Sequence, residues 1–270
     1  MQGLRGFQKY EGLGNDFIVF DGVDEADLAS ERVATLCDRH FGIGADGVLL
    51  VLPSREMGTD ARMVVVNADG SVPEMCGNGA RCVALHVARA RGLRRGTIHI
   101  DTAAGPRACA IDDAGVDGVE AMVAVDMGIV RVCGEREVDL AGTKTTAILA
   151  DAGNPHAVIF GTFEPADVER FGARLAIHRD FPGGTNVEFA RVAGDTIWLA
   201  VWERGVGVTL ACGTGACAAA SVACAKGLAA YDAPIEVRLP GGSLQVTISK
   251  LGRATMRGPA RHVFSGVVRV

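Results

Sequence analysis

Apolar residues in this chain gather in short β-rich runs, not in long helical stripes. Ile18–Phe20, Val48–Leu52, Met63–Val66, Thr97–Ile100, Met122–Val125, Ala157–Phe160, Ile197–Trp202, Ile235–Leu239, Leu244–Ile248 and Val263–Val270 each lie between Gly, Asp or Pro breaks, the pattern of strands separated by turns. One segment, Leu28–Arg39, instead sets Leu28, Val33, Leu36 and Cys37 at helical spacing. Two further helices are predicted at Ala80–Arg91 and Ala216–Ala225. The stretch Leu210–Ala225 is the most membrane-like, but its sixteen residues are too few to span a bilayer of ~30 Å. They are also rich in Gly, Ala, Ser and Thr, which suits a helix buried inside protein. The pattern predicts an α+β protein.

A repeat organises the chain. Cys76-Gly77-Asn78-Gly79-Ala80-Arg81-Cys82 is echoed by Cys212-Gly213-Thr214-Gly215-Ala216-Cys217, 136 residues later, and Gly14-Asn15 returns as Gly153-Asn154, 139 residues later. Two echoes in the same order at nearly one offset imply duplication. The period is far longer than that of a solenoid, so the expectation is two pseudo-symmetric lobes. Each should be a many-stranded, mostly antiparallel sheet or barrel around a central small-residue helix. The first lobe is placed at 1–118 plus 263–270 and carries Cys76; the second is placed at 119–262 and carries Cys212.

Composition narrows the function. The 270 residues are 49% hydrophobic but only 5% aromatic, enough for a sizeable core built from Ala, Val, Leu and Ile. A formal charge of −5 disfavours a nucleic-acid partner, and the basic stretch 89–95 reads as a solvated helix end. The first twenty residues carry Arg5, Lys9, Glu11 and Asp16 without a long apolar run, so no secretory signal is expected. No membrane partner is expected either, and the cytoplasm is the expected compartment. There the eight cysteines should stay reduced, each a core residue or a working thiol.

One motif misleads. Gly42-Ile43-Gly44-Ala45-Asp46-Gly47 has the G-x-G-x-x-G form, but a dinucleotide fingerprint needs a strand before it and a helix after it. Here a helix precedes and a strand follows, so the motif is set aside.

The candidate chemistry rests on Cys76 and Cys212. A thiol at a helix start lies near free N–H groups and the positive dipole end, which favour thiolate. The spacings at 76/82 and 212/217 are not those of structural zinc sites, and Cys82 and Cys217 fall inside their helices, where core packing is the expectation. No metal is expected. Nucleophilic catalysis needs one cysteine and gives no reason for two equivalent copies. Inverting a carbon centre does: one thiolate removes the Cα proton from one face while a neutral thiol supplies a proton on the other. Backbone N–H groups near Gly77, Asn78, Gly213 and Thr214 could bind the substrate carboxylate, and glycine permits the close approach. Only four lysines are present, none in a recognisable pyridoxal phosphate setting, so the scheme uses no cofactor.

These residues bring a known family into view. Gly12-Leu13-Gly14-Asn15-Asp16-Phe17, Arg39-His40-Phe41-Gly42-Ile43-Gly44-Ala45-Asp46-Gly47, Asn67-Ala68-Asp69-Gly70-Ser71 and Glu74–Cys82 resemble the diaminopimelate epimerase family, as do Gly153-Asn154-Pro155-His156, Gly184-Thr185-Asn186-Val187, Trp202-Glu203-Arg204-Gly205 and Ala211–Cys217. The resemblance runs over essentially the whole chain. It implies a cofactor-independent epimerase, commonly a homodimer, that interconverts LL- and meso-diaminopimelate for lysine and peptidoglycan synthesis. It makes Cys76 and Cys212 the acid–base pair. Asn15, Asn67, Asn154 and Asn186 become substrate ligands, Glu203 and Arg204 polar contacts, and His156 a supporting residue. It also implies that the C-terminal strand returns to the first lobe. The partner is then a small diamino-dicarboxylate, whose distal carboxylate Arg204 could grip bidentately.

Two positions depart from the family pattern. Many members carry Glu where this chain has Val208, and some carry Gln at Gly47. Another amino-acid racemase of the same fold is therefore an alternative, although proline-racemase relatives place His at the position of Asn78 and phenazine-synthesis isomerases lack the paired cysteines. A thiol redox or binding protein is the non-enzyme alternative.

Overall fold

Tight glycine turns set where strands begin. Gly14 (φ 78°) and Gly153 (φ 92°) occupy the left-handed region, which glycine enters without a Cβ penalty. A left-handed glycine thus precedes both Asn15 and Asn154. The computed structural model describes residues 3–22, 30–73, 75–115, 117–140 and 142–269. The chain forms two compact units, Met1–Val125 with Gly258–Val270, and Asp126–Arg257.

In the first unit Leu4–Gly12 (β1) pairs antiparallel with Asn15–Asp21 (β2). Helix Ser30–Cys37 (α1) leads to Gly47–Leu52 (β3), parallel to β2. Ala61–Asn67 (β4) returns antiparallel to β3. The chain then crosses over through helix Gly77–Ala90 (α2) to Gly96–Asp101 (β5), parallel to β4. Arg107–Ile111 (β6) and Glu120–Ile129 (β7) continue antiparallel.

The second unit repeats this grammar. Arg131–Leu140 (β8) and Thr143–Asp151 (β9) pair antiparallel, followed by Pro155–Phe160 (β10). Helix Pro165–Ala176 (α3) crosses to Asn186–Ala193 (β11), parallel to β10. Thr196–Glu203 (β12) returns antiparallel, edged by Gly207–Thr209 (β13). Helix Gly213–Ala225 (α4) then crosses to Pro234–Leu239 (β14), parallel to β12. Gly242–Ile248 (β15) and Arg253–Arg269 (β16) finish antiparallel. In each unit the cysteine-led helix is the second parallel crossover, so the duplication seen in the sequence is a duplication of topology.

The far part of β16 belongs to the first unit, where it pairs with β1 from Leu4↔Arg269 to Glu11↔Arg261. His262 N–H also donates to the Val119 carbonyl at 2.7 Å, so the strands of this unit ring α2. The division between units falls at 125/126 and 257/258, a few residues from the expected 118/119 and 262/263. It falls there because β7 and β16 run through the breaks as continuous strands.

Helix burial explains the composition. Every residue from Gly77 to Ala88 in α2 is buried, and so is nearly all of α4. A helix enclosed all round needs apolar residues on every face, and small ones let strands approach on several sides. Arg81, fully buried in α2, donates from Nε to the Pro259 carbonyl at 3.0 Å. No described helix is long and apolar enough to cross a membrane.

Each strand expected from sequence lies within an observed one over its described residues; Val270 lies outside them. β1, β6, β8, β9, β11, β13 and α3 are additional. Leu28 also lies outside the described residues, and α1 stops at Cys37, not Arg39, because the Asp38 carboxylate accepts the N–H groups of His40 and Phe41 at 2.7 Å. The stretch 42–47 has helix before and strand after, the order that argued against a dinucleotide site. The basic stretch ends α2 and carries the exposed pairs Arg94–Asp113 and Arg95–Asp113.

Candidate active site

Both cysteines are helix N-caps with nearly the same backbone. Cys76 has φ −137°, ψ 105°, and Cys212 has φ −123°, ψ 110°. Each sulfur accepts the N–H three residues on, from Gly79 and Gly215, at 3.3 Å. Helices α2 and α4 thus begin at Gly77 and Gly213, ahead of the expected starts, because a thiol does here what Ser or Asp does elsewhere. First-turn N–H groups have no acceptor within a helix; in α2 these belong to Gly77 and Asn78, in α4 to Gly213 and Thr214. Among the described residues no group of three or more His, Cys, Asp and Glu is placed to hold a metal.

In the first unit Asn15 and Asn78 meet. Asn78 Nδ2 donates to Asn15 Oδ1 at 3.0 Å, and Asn15 Nδ2 donates to Asp46 Oδ2 at 2.7 Å. Asp46 is in turn held by Arg39 at 2.8 Å, which also grips Asp16 at 2.7 Å. Burial alone would raise the Asp16 carboxyl, but hydrogen bonds from Arg39 and Lys9 outweigh it and hold it below its ordinary value. Asn67 bonds within its own loop, to Ser71 Oγ at 2.9 Å.

The second unit assembles a longer chain of contacts. Asn154 Oδ1 lies 2.8 Å from His156 Nε2, and His156 Nδ1 lies 2.7 Å from Glu188 Oε1. Glu203, at the end of β12, accepts from Thr209 Oγ1 at 2.5 Å and hydrogen-bonds the Cys212 thiol. Cys212 Sγ is also 3.5 Å from Thr214 Oγ1. Asn186 is a bracket: Nδ2 donates to the Pro155 carbonyl at 3.2 Å, and Oδ1 accepts the Arg204 N–H at 2.9 Å. The exposed Arg204 guanidinium donates to the Gly183 carbonyl at 2.7 Å.

Helix-start position favours thiolate, yet at Cys212 the balance goes the other way. Burial pushes the thiol well up, and the charges of Glu203 and Glu188 push it further, against bonds from Thr214 and Gly215. Burial likewise raises the Glu203 carboxyl. Cys82 and Cys217 are fully buried core residues, as their helical positions suggested, and none of the eight cysteines is joined in a disulfide.

Sequence reasoning missed Glu188 and Asp46. Glu188 was detectable as a lone acid inside the run Val187-Glu188-Phe189-Ala190. Acids are almost never fully buried unless paired, so an acid on an enclosed strand signals a partner.

The class defined here is a doubled α+β sheet topology with a cysteine-capped helix in each half. A solved hydroxyproline epimerase from Agrobacterium vitis shares the fold, with a TM-score of 0.75 at 18% identity, covering 100% of this chain and 94% of that one. The family profile described as diaminopimelate epimerase matches residues 7–133 and 148–263. A diaminopimelate epimerase of Synechocystis sp. is 41% identical over 98% of this chain and 99% of its own length. One from Microcystis aeruginosa is 42% identical over 97% and 98%. The chain belongs to the diaminopimelate epimerase family, and with it to the isomerases.

Proposed function

We propose that this chain interconverts LL- and meso-2,6-diaminopimelate without a cofactor, with Cys76 and Cys212 as proton carriers on opposite faces of the reacting Cα. The observation that carries the reading is the duplicated helix start: two thiols in one backbone conformation, each beside N–H groups suited to a carboxylate. One thiolate takes the Cα proton while the opposite thiol delivers its own. Charge that develops on the reacting carboxylate is met by the N–H groups of Gly77, Asn78, Gly213 and Thr214. Removing one such donor typically costs on the order of 10²–10³ in kcat.

The raised Cys212 thiol supports its resting as a proton donor. Asn15, Asn67, Asn154, Asn186, Glu203 and Arg204 are assigned to the substrate, with Arg204 on the distal carboxylate. His156 supports the proton chemistry. The enzyme acts as a homodimer in the cytoplasm, where free thiols persist.

The test is α-proton exchange. Reduced protein with LL-diaminopimelate in D2O should incorporate deuterium and form the meso isomer, while Cys76→Ala and Cys212→Ala should lose epimerisation. Uptake with a different amino acid only would move the assignment to a racemase. No uptake with any amino acid would remove the enzymatic reading.

A further inference from the structure

Glu188 has no role in the scheme above, yet it is the most enclosed acid of the second unit. It sits on β11 with 0% exposure, between buried Val187 and Phe189. Oε1 is 2.7 Å from His156 Nδ1, and both side chains are wholly enclosed. Oε2 is buried without a hydrogen-bond partner. A residue needed only for packing would be apolar here, because a half-satisfied buried carboxylate costs stability.

Its surroundings say what the acid is for. The Asn154 amide oxygen can only accept, so His156 Nε2 carries a proton. A second proton is then shared between Nδ1 and Glu188 Oε1. A Cβ built on Gly215 would stand 2.8 Å from Glu188 Oε1 and 3.2 Å from Cys212 Sγ. Carboxylate and thiol therefore border the same atom-sized space, kept open by glycine at the third position of α4. The charged groups facing the thiol are Glu188 from β11 and Glu203 from β12, and His156 from β10 lies against Glu188.

We propose that Glu188 is a positioning residue for proton transfer at Cys212: through the proton it shares with His156 and the charge it sets beside the sulfur, it fixes the protonation state that this thiol presents to substrate. The inference rests on the epimerase reading. Protons balance without further reactants: the Cys212 thiol gives its proton to Cα and is left as thiolate, the opposite thiolate takes the original Cα proton and becomes the thiol, and the Glu188–His156 pair keeps its own throughout.

The test compares wild type with Glu188→Gln, a neutral isostere. Iodoacetamide labelling of Cys212 is followed against pH by peptide mass spectrometry, with Cys76 in the same digest as reference. Losing the nearby negative charge should lower the Cys212 labelling midpoint by about one pH unit and leave that of Cys76 unmoved. For LL-diaminopimelate, kcat should fall about 10-fold or more with KM changed less than about threefold, as expected when a proton-transfer step and not binding is affected. An unmoved Cys212 midpoint in folded Glu188→Gln overturns the proposal, as does a loss confined to KM. Should that variant not fold, His156→Gln removes the shared proton but keeps the carboxylate, and the midpoint should move upward; no movement overturns the proposal. If wild type fails to exchange the α-proton of diaminopimelate, the functional reading falls, while the labelling arms still decide whether Glu188 governs Cys212.

Discussion

Consider replacing Gly215 with alanine. In a helix interior this exchange stabilises by about 1 kcal/mol on propensity alone. At Gly215 the new Cβ would lie 2.8 Å from Glu188 Oε1, 3.2 Å from Cys212 Sγ and 3.4 Å from Cys212 Cβ. The first distance is too short to persist. The carboxylate cannot swing away freely, because it is enclosed and bonded to His156 at 2.7 Å. Displacing it forfeits a charge-assisted bond worth about 1.5–3 kcal/mol, and crowding a packed core adds about 1–3 kcal/mol. After the propensity gain, Gly215→Ala should be less stable than wild type by about 1.5–5 kcal/mol on these scales, with kcat reduced as well.

The equivalent Gly79→Ala is the control. There the Cβ meets Leu49 Cδ2 at 3.0 Å and Cys76 Sγ at 3.3 Å, and a leucine methyl can yield a few tenths of an ångström. Its net effect should stay within about 1 kcal/mol, since propensity offsets the crowding. Urea unfolding of both variants, with initial rates alongside, makes the comparison. A Gly215→Ala protein as stable as wild type, or a Gly79→Ala protein that is the worse of the two, would refute the packing argument around Glu188.

Two further outcomes are expected. Gly172 in α3 faces Trp202, and a Cβ there would stand 2.5 Å from Trp202 Cβ; Gly172→Ala should lower stability by about 1–3 kcal/mol despite its better helix propensity, and a raised melting temperature would contradict this. Asp16, whose folded carboxyl lies below its ordinary value, contributes stability that is fully present above the unfolded value of about pH 4 and is lost as pH falls through the folded value. Asp16→Asn should therefore lag wild type in urea midpoint at neutral pH and converge with it in acid; a gap that widens in acid would show the sign to be wrong.

Sequence patterning revealed the strands whose apolar runs are uninterrupted, and it revealed the repeat, because Cys-Gly and Gly-Asn mark fixed backbone needs. It overlooked strands whose polar residues mask them. β8 is exposed along most of Arg131–Leu140, so no core face writes an alternation there. α3 was missed because Pro165 opens the segment, although proline at a first helical turn is favourable. The two cysteines were legible from their spacing and glycine context. The Glu188–His156 pair was not, since its partners lie on neighbouring parallel strands, 32 residues apart in the chain, and only the fold brings them together. The state of Cys212 also escaped sequence reasoning: the helix end argued for thiolate, while enclosure and two acids argue more strongly against it.

The pairing of β1 with the last stretch of β16 bears on how the protein emerges from the ribosome. Domains usually fold in the order of synthesis, N-terminal first. Here the unit begun first must wait, because its ring of strands lacks a member until Gly258–Val270 has been made. The unit spanning Asp126–Arg257 is contiguous and has all its strands while the nascent chain is still attached. Until that stretch is made, β1 presents an unpaired edge able to recruit a foreign strand. A product stalled before β16 is made would carry one finished half and one open one, which makes that interval of synthesis the one in which the first unit is most exposed to aggregation.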